Sequence, residues 1–273
     1  MKIALYKRDR NDSIEAVKHL LREKGATVLC YPEDFSSAED LPADTDLFLS
    51  LGGDGTFLQS LTFVRDRGIP VAGINFGHLG FLTTARADEP GWVDALLSRN
   101  YTVEERSLLR VTCAELPEGF YPFALNEVSL QRRVASMLQV RVSIGGRELP
   151  TYWADGLVIA TPTGSTAYNL SVGGPVVMPA SEVMVIAPIA PHNLNVRPLV
   201  VPMDAAVELS FRTRGADALL TLDNRSCELP SGTTVSLARG RYGLRYVSLS
   251  DDNFIHALQT KLFWGEDRRN ANR

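Results

Sequence analysis

Up to about residue 100 the chain alternates short apolar runs with amphipathic stretches. Residues 2–7 predict a strand, and Ile14, Val17, Leu20 and Leu21 line one face of a helix that Asp12 or Ser13 can cap and Gly25 ends. Residues 26–31 predict the next strand. After a polar loop come a strand at 46–51, a glycine turn, a helix at 57–67, a strand at 69–75 and a helix at about 90–99. Apolar strands separated by helices imply a parallel sheet covered on both faces, with ligand loops at the strand C-termini.

From about Val103 the pattern changes. Residues 109–113, 123–130, 138–144, 156–161, 183–186, 207–212, 218–222, 233–238 and 244–249 read as short strands separated by Gly, Pro and Asn, the mark of a β-sandwich or distorted barrel. Asp252 or Asn253 can cap a last helix carrying Phe254, Ile255, Leu258 and Leu262 on one side, expected to pack back on the first domain, and the polar residues 266–273 are expected to be disordered. The expectation is therefore an α/β domain over 1–102, completed by about 250–273, and a β-sandwich domain over 103–249.

Composition narrows the function. With 273 residues, 45% hydrophobic and 22% charged, the chain can bury a large core. A net charge of −4 gives no overall basic footprint, so nucleic-acid binding or attachment to an anionic membrane is not expected as a main activity. Cys30, Cys113 and Cys227 are scattered without Cys-x-x-Cys spacing, which points to a reducing compartment, and His19, His78, His192 and His256 form no metal-spaced pair, so no zinc is assigned. No secretory apolar region and no run near the roughly 20 residues of a membrane span is present, and the chain reads as cytoplasmic.

The most informative segment is Gly52-Gly53-Asp54-Gly55-Thr56, an apolar strand running into a glycine turn that opens a helix. Glycines allow a ligand close to the backbone, and the free amides of a helix start attract phosphate. Asp54 would repel phosphate unless it takes a proton from a hydroxyl or holds a divalent cation. The plainer alternative is ordinary turn chemistry, with Asp54 or Thr56 capping the helix. No Gly-Lys-Ser/Thr ending makes this a Walker A loop, and Leu58 stands where a dinucleotide fingerprint needs a third small residue.

Three further segments carry polar groups in apolar surroundings. In Gly73-Ile74-Asn75-Phe76-Gly77-His78-Leu79-Gly80-Phe81, expected beside the first turn, Phe81 can stack on a base or simply be buried. Asn126-Glu127, inside an apolar run, suits ribose hydroxyls or an adenine edge if it is not an exposed strand end. Asp155-Gly156 opens a strand that feeds Thr163-Gly164-Ser165-Thr166-Ala167-Tyr168-Asn169-Leu170-Ser171, followed by Gly173-Gly174-Pro175. There Thr163, Ser165 or Thr166 can cap a short helix, and the small side chains suit a nucleotide.

Together these residues resemble the NAD kinase family, which transfers phosphate to the 2′-hydroxyl of the adenosine ribose of NAD. The glycine turn is shared with diacylglycerol-type lipid kinases and, more loosely, phosphofructokinases; Asn126-Glu127 and the stretch from Asp155 to Pro175 match NAD kinases in order and spacing, over roughly residues 40–250. The resemblance implies a Rossmann-like or phosphofructokinase-like α/β domain, a β-sandwich domain, and a C-terminal helix returning to the first. It makes Asp54 the proton acceptor and puts Asp54 and Gly55 at the nucleotide. It places Asn126, Glu127 and Asp155 on ribose and nicotinamide-side groups, and Thr166, Ala167, Tyr168 and Ser171, in a loop with Asn169 and Leu170, around the adenosine. Trp153 stands where members often carry a basic residue, and Asp223-Asn224-Arg225 where they show Asp-Gly-Gln or a similar triplet, which puts Trp153 and Arg225 among the nucleotide-side positions. NAD⁺ and ATP are the implied substrates, Mg²⁺ the implied ion without assigned ligands, and a homodimer or homotetramer the implied assembly. A lipid kinase finds no support in an amphipathic or polybasic membrane-docking segment, and a silent NAD(P)-binding regulator would be better served without Asp54.

Overall fold

The structure, a computed structural model, describes residues 1–8, 12–77, 80–249 and 254–264, without the side chains of residues 12, 13 and 256. The proposed caps Asp252 and Asn253, and the tail at 266–273, lie outside the described residues. The chain divides into two compact units, Met1–Glu105 together with the described residues from Arg245 onward, and Arg106–Leu244.

The elements run β1 (Lys2–Tyr6), α1 (Asp12–Glu23), β2 (Thr27–Cys30), β3 (Leu47–Leu51), α2 (Asp54–Val64), β4 (Val71–Asn75), β5 (Ala85–Arg86), α3 (Trp92–Leu97) and β6 (Thr102–Arg106). Then come β7 (Leu109–Thr112), β8 (Phe123–Ala124), β9 (Glu127–Gln131), β10 (Leu138–Ile144), β11 (Arg147–Glu148), β12 (Tyr152–Ala154) and β13 (Gly156–Ala160). A 3₁₀ turn (Thr163–Thr166) and α4 (Tyr168–Ser171) lead to β14 (Val183–Ile189), β15 (Leu199–Pro202), β16 (Val207–Arg212), β17 (Ala218–Leu222), β18 (Arg225–Leu229) and β19 (Thr234–Arg239). The last elements are β20 (Leu244–Ser248) and α5 (Phe254–Leu262).

In the first unit the sheet order is β2-β1-β3-β4-β20-β6, with β5 beside β4. Alternation along the strands explains the layering. Ile3, Leu5, Leu47, Leu49 and Leu51 face a core with Ile14, Val17 and Leu21 of α1 and Trp92, Val93 and Leu96 of α3. On the other side Phe48 meets Phe63 of α2 at 5.8 Å between ring centroids and Phe35 at 6.0 Å. β1 pairs in parallel with both β2 and β3, so the winding reverses between β1 and β3. Such a reversal opens a crevice at the strand C-termini.

Residues 244–249, read from sequence with the β-rich domain, instead join this sheet: Tyr246 pairs in parallel with Val71 and its ring packs on Phe57. A short apolar strand looks the same whichever sheet receives it. The return of α5 to this unit agrees with expectation, since the Lys261 ammonium donates to the Gly80 carbonyl.

The second unit holds two antiparallel sheets, β11-β10-β16-β19-β7-β8 with β12 beside β10, and β15-β14-β13-β9-β17-β18. Val140, Leu209, Phe211 and Leu237 of the first share one core with Leu130, Leu157, Ile159, Ile186 and Leu220 of the second. This is a β-sandwich. The expected strand at 123–130 is two strands in different sheets, β8 and β9, broken at Leu125-Asn126. That break puts Asn126 at a crossover between sheets.

Candidate active site

In the first unit the site begins where β3 ends. Gly52 sits at φ +153 with its N–H donating to Ile74 O at 2.8 Å, and a Cβ there would lie 2.5 Å from Thr56 Oγ1. The helix starts at Asp54, earlier than the expected residue 57, with Gly53 as its N-cap and no side-chain cap. Asp54 is therefore not a capping residue. Its carboxylate accepts the Phe81 N–H on Oδ2 at 2.8 Å and the Leu82 N–H on Oδ1 at 3.0 Å. Each oxygen keeps acceptor capacity for a further partner, and a carboxylate in the first turn is favoured by the helix dipole.

The second glycine loop neighbours the first turn, as expected, because Leu51 pairs with Ile74. Gly73 is required by packing: a Cβ would lie 2.9 Å from both Leu82 O and Phe57 Cδ2. Asn75 Oδ1 accepts the Gly77 N–H and Thr83 Oγ1 the Gly80 N–H. Phe81 is half-buried, with the Lys261 ammonium 4.9 Å from its ring centroid. His78 and Leu79 of this motif lie outside the described residues.

In the second unit β9 and β13 run antiparallel with Glu127 opposite Ala160. Asn126 and the hydroxyl-rich loop therefore share one end of the sheet: the Thr161 N–H donates to Asn126 O, and a Cβ on Gly164 would lie 2.0 Å from that oxygen. Neither Thr163, Ser165 nor Thr166 caps a helix here. Thr161 fastens the loop instead, its Oγ1 donating to Leu125 O and accepting the Gly164 N–H. Ser165 Oγ clasps Val177 through both backbone groups. Asn169 is fully buried and its Nδ2 donates to Ser165 O and Pro175 O, a fastening role. Thr166, Ala167 and Leu170 are half-buried and Ser171 is exposed.

Asn126 Oδ1 and Glu127 Oε2 are buried without a hydrogen-bond partner. Burial pushes the Glu127 carboxyl up to about 8, nearby Asp223 adds to this, and the Tyr168 backbone N–H pulls the other way. The Tyr168 hydroxyl, raised by burial and then by Glu127 and Asp155, approaches Gln131 Oε1 at 3.5 Å. Asp155 lies at the other end of β13, gripped by Arg132 with Nε to Oδ1 at 2.7 Å and Nη2 to Oδ2 at 3.0 Å. Trp153 projects from β12, 37% exposed, with its backbone N–H on Asn193 Oδ1.

The sequence marked Asp223 and Arg225 as nucleotide-side or departing positions but not as the residues that hold these groups in place. Asp223, wholly buried at φ +53, accepts the Leu125, Asn126 and Glu127 amides and so shapes the break that presents Asn126 and Glu127. Its complete burial pushes its carboxyl upward, opposed by those amides and Arg225. Arg225 is spent within the fold: it donates to the Tyr121 and Phe123 carbonyls and covers the Tyr121 ring. Asp223-Asn224-Arg225 had stood out as a departing triplet; Arg132 and Lys261 gave no local signal.

Among the described residues no three His, Cys, Asp or Glu side chains come together to hold a metal, and no helix is long and apolar enough to cross a membrane.

A doubly wound sheet with a glycine turn beside its reversal, a clamped carboxylate in that turn, and an antiparallel sandwich carrying a loop of small hydroxyl residues define a nucleotide-dependent phosphotransferase. Residues 15–102 match the ATP-NAD kinase N-terminal domain and residues 125–249 the ATP-NAD kinase C-terminal domain. A NAD kinase of Flavobacterium psychrophilum is 40% identical over 242 residues, 87% of this chain and 82% of the relative; one of Cytophaga hutchinsonii is 44% identical over 238 residues, 86% and 81%. Crystal structures of yeast NADH kinase complexed with NADH (TM-score 0.85, 24% identity, 97% of this chain and 88% of that one) and of an Archaeoglobus fulgidus NAD kinase in complex with ATP (TM-score 0.78, 26%, 93% and 96%) share the fold. The chain belongs to the NAD kinase family and is an ATP-dependent NAD kinase.

Proposed function

We propose that the enzyme transfers the γ-phosphoryl group of ATP to the 2′-hydroxyl of the adenosine ribose of NAD⁺, with Asp54 as general base. The observation that carries this reading is the Asp54 carboxylate, set in a phosphate-type turn and aimed by two backbone amides. Asp54 takes the hydroxyl proton as the ribose oxygen bonds to the γ-phosphorus; the bond from that phosphorus to the bridging oxygen breaks, and ADP leaves with the electron pair. Fixing the carboxylate beforehand spares reorganisation at the moment of transfer.

Asn126 and Glu127 support binding of the dinucleotide, because their unpartnered buried oxygens suit ribose hydroxyl donors. Asp155 serves the nicotinamide side, Trp153 borders the nucleotide, and Thr166, Ala167, Tyr168 and Ser171 serve the adenosine, with Tyr168 covering a ring. Phe81 and Gly55 border the nucleotide. Arg225 contributes through the segment it braces.

Mg²⁺ fits as an ion carried on the ATP phosphates, which would supply its charged ligands and leave Asp54 as the base. When bound, it would neutralise phosphate charge. A cytoplasmic homodimer or homotetramer completes the reading.

The test is product identity: ATP, Mg²⁺ and NAD⁺ should give a product that an NADP⁺-specific dehydrogenase reduces. Phosphorylation of NAD⁺ at any other hydroxyl would give no such reduction and would refute the assignment.

A further inference from the structure

We propose that Lys7 supplies the side-chain positive charge of the ATP triphosphate site, alongside the Mg²⁺ that ATP carries, a role that rests on the reading that the phosphates meet the turn Gly52–Asp54. The turn carries a carboxylate and no basic residue of its own, so a highly anionic triphosphate needs positive charge from elsewhere. Lys7 directly follows β1, one of the two strands between which the winding reverses, and Asp54 lies just beyond β3, the other. Because Tyr6 pairs with Ser50, Lys7 emerges beside Leu51, next to the glycine turn.

The direction of the side chain is the decisive feature. The Lys7 ammonium lies 4.3 Å from the centroid of the Phe76 ring, and Phe76 directly follows β4. β3 lies between β1 and β4. With neighbouring strands about 4.8 Å apart, the contact spans roughly 10 Å from the end of β1 to the end of β4 and passes the end of β3, where the turn begins. Lys7 is only 8% exposed, so its stem is packed and its ammonium is held in one direction. The Phe76 ring is one of its partners in the resting enzyme. A triphosphate on the turn would come within reach of an ammonium held along this edge of the sheet.

Lys7→Met keeps the length and apolar stem and removes the charge; Lys7→Arg keeps the charge. Steady-state kinetics with ATP and NAD⁺ varied separately, alongside thermal unfolding of each variant, decide the matter. The expected result is a roughly 100-fold loss of kcat/KM for ATP in Lys7→Met, as on removing a charge-stabilising donor, with KM for NAD⁺ little changed and much of the loss recovered in Lys7→Arg. Unchanged ATP kinetics would overturn the role while leaving the kinase reading intact, because the wild-type product assay tests that reading separately. Equal losses for ATP and NAD⁺ with no recovery by arginine would also overturn it, by showing Lys7 to be a packing residue.

Discussion

Gly80 and Asp54 share one space: a Cβ on Gly80 would lie 1.9 Å from Asp54 Oδ1. The missing side chain lets the second glycine loop close over the carboxylate, so that the two residues after Gly80 supply the amides that hold it. Gly80→Ala must therefore push the carboxylate or the loop aside. A displacement near 1 Å can cost about 100-fold in rate, and kcat should fall by roughly that factor while calorimetric NAD⁺ affinity stays close to wild type. A full-speed Gly80→Ala enzyme would show that the clamped position of Asp54 does not matter.

Glu127 makes a statement about pH. Its carboxyl, ordinarily near 4.5, is held near 8 by burial, so the folded state keeps a proton that the unfolded chain releases. Stability from this source is complete below about 4.5 and declines as pH rises through the folded value near 8. Glu127→Gln mimics the protonated form at every pH. Urea unfolding at pH 5 and at pH 8.5 should show the variant gaining on wild type at the higher pH by on the order of a few kcal/mol. Parallel pH profiles for the two proteins would contradict this.

The Arg132 fork on Asp155 predicts a binding defect rather than a chemical one. Arg132→Met leaves Asp155 without the partner that orients it, and KM for NAD⁺ should rise about tenfold, the scale of one charge-assisted hydrogen bond, with kcat nearly unchanged. Lys at this position should restore only part of the affinity, because an ammonium cannot grip both oxygens in the same plane. Unchanged KM in Arg132→Met would remove Asp155 from the dinucleotide contacts or Arg132 from their support.

Local pattern carried the first half of the fold. Apolar strands and helical spacing up to residue 100 gave the parallel sheet, and Gly52–Thr56 stood out because a carboxylate in a phosphate-type turn is chemically anomalous. What local pattern could not supply was pairing over distance. The run 123–130 is mostly apolar around Asn126-Glu127, and nothing in it marks the change of sheet that Asp223 enforces from about a hundred residues away. The strand after Leu244 was placed in the wrong sheet for the same reason. Lys261 on Gly80, Arg132 on Asp155 and Lys7 over Phe76 are likewise products of topology. The hydroxyl loop was legible as a site, whereas its fastening by Thr161 and Asn169 was not, because serine and threonine look equally able to cap a helix or tie a loop.

Whether Asp54 accepts the proton from the 2′-hydroxyl is decided by the Asp54→Asn variant. The amide keeps the size and one acceptor oxygen but cannot take the proton at neutral pH. Measured as NADP⁺ formed from ATP, Mg²⁺ and NAD⁺, kcat should fall by about 10²–10⁴-fold with NAD⁺ affinity retained. An Asp54→Asn enzyme turning over at close to the wild-type rate would show that Asp54 is not the base.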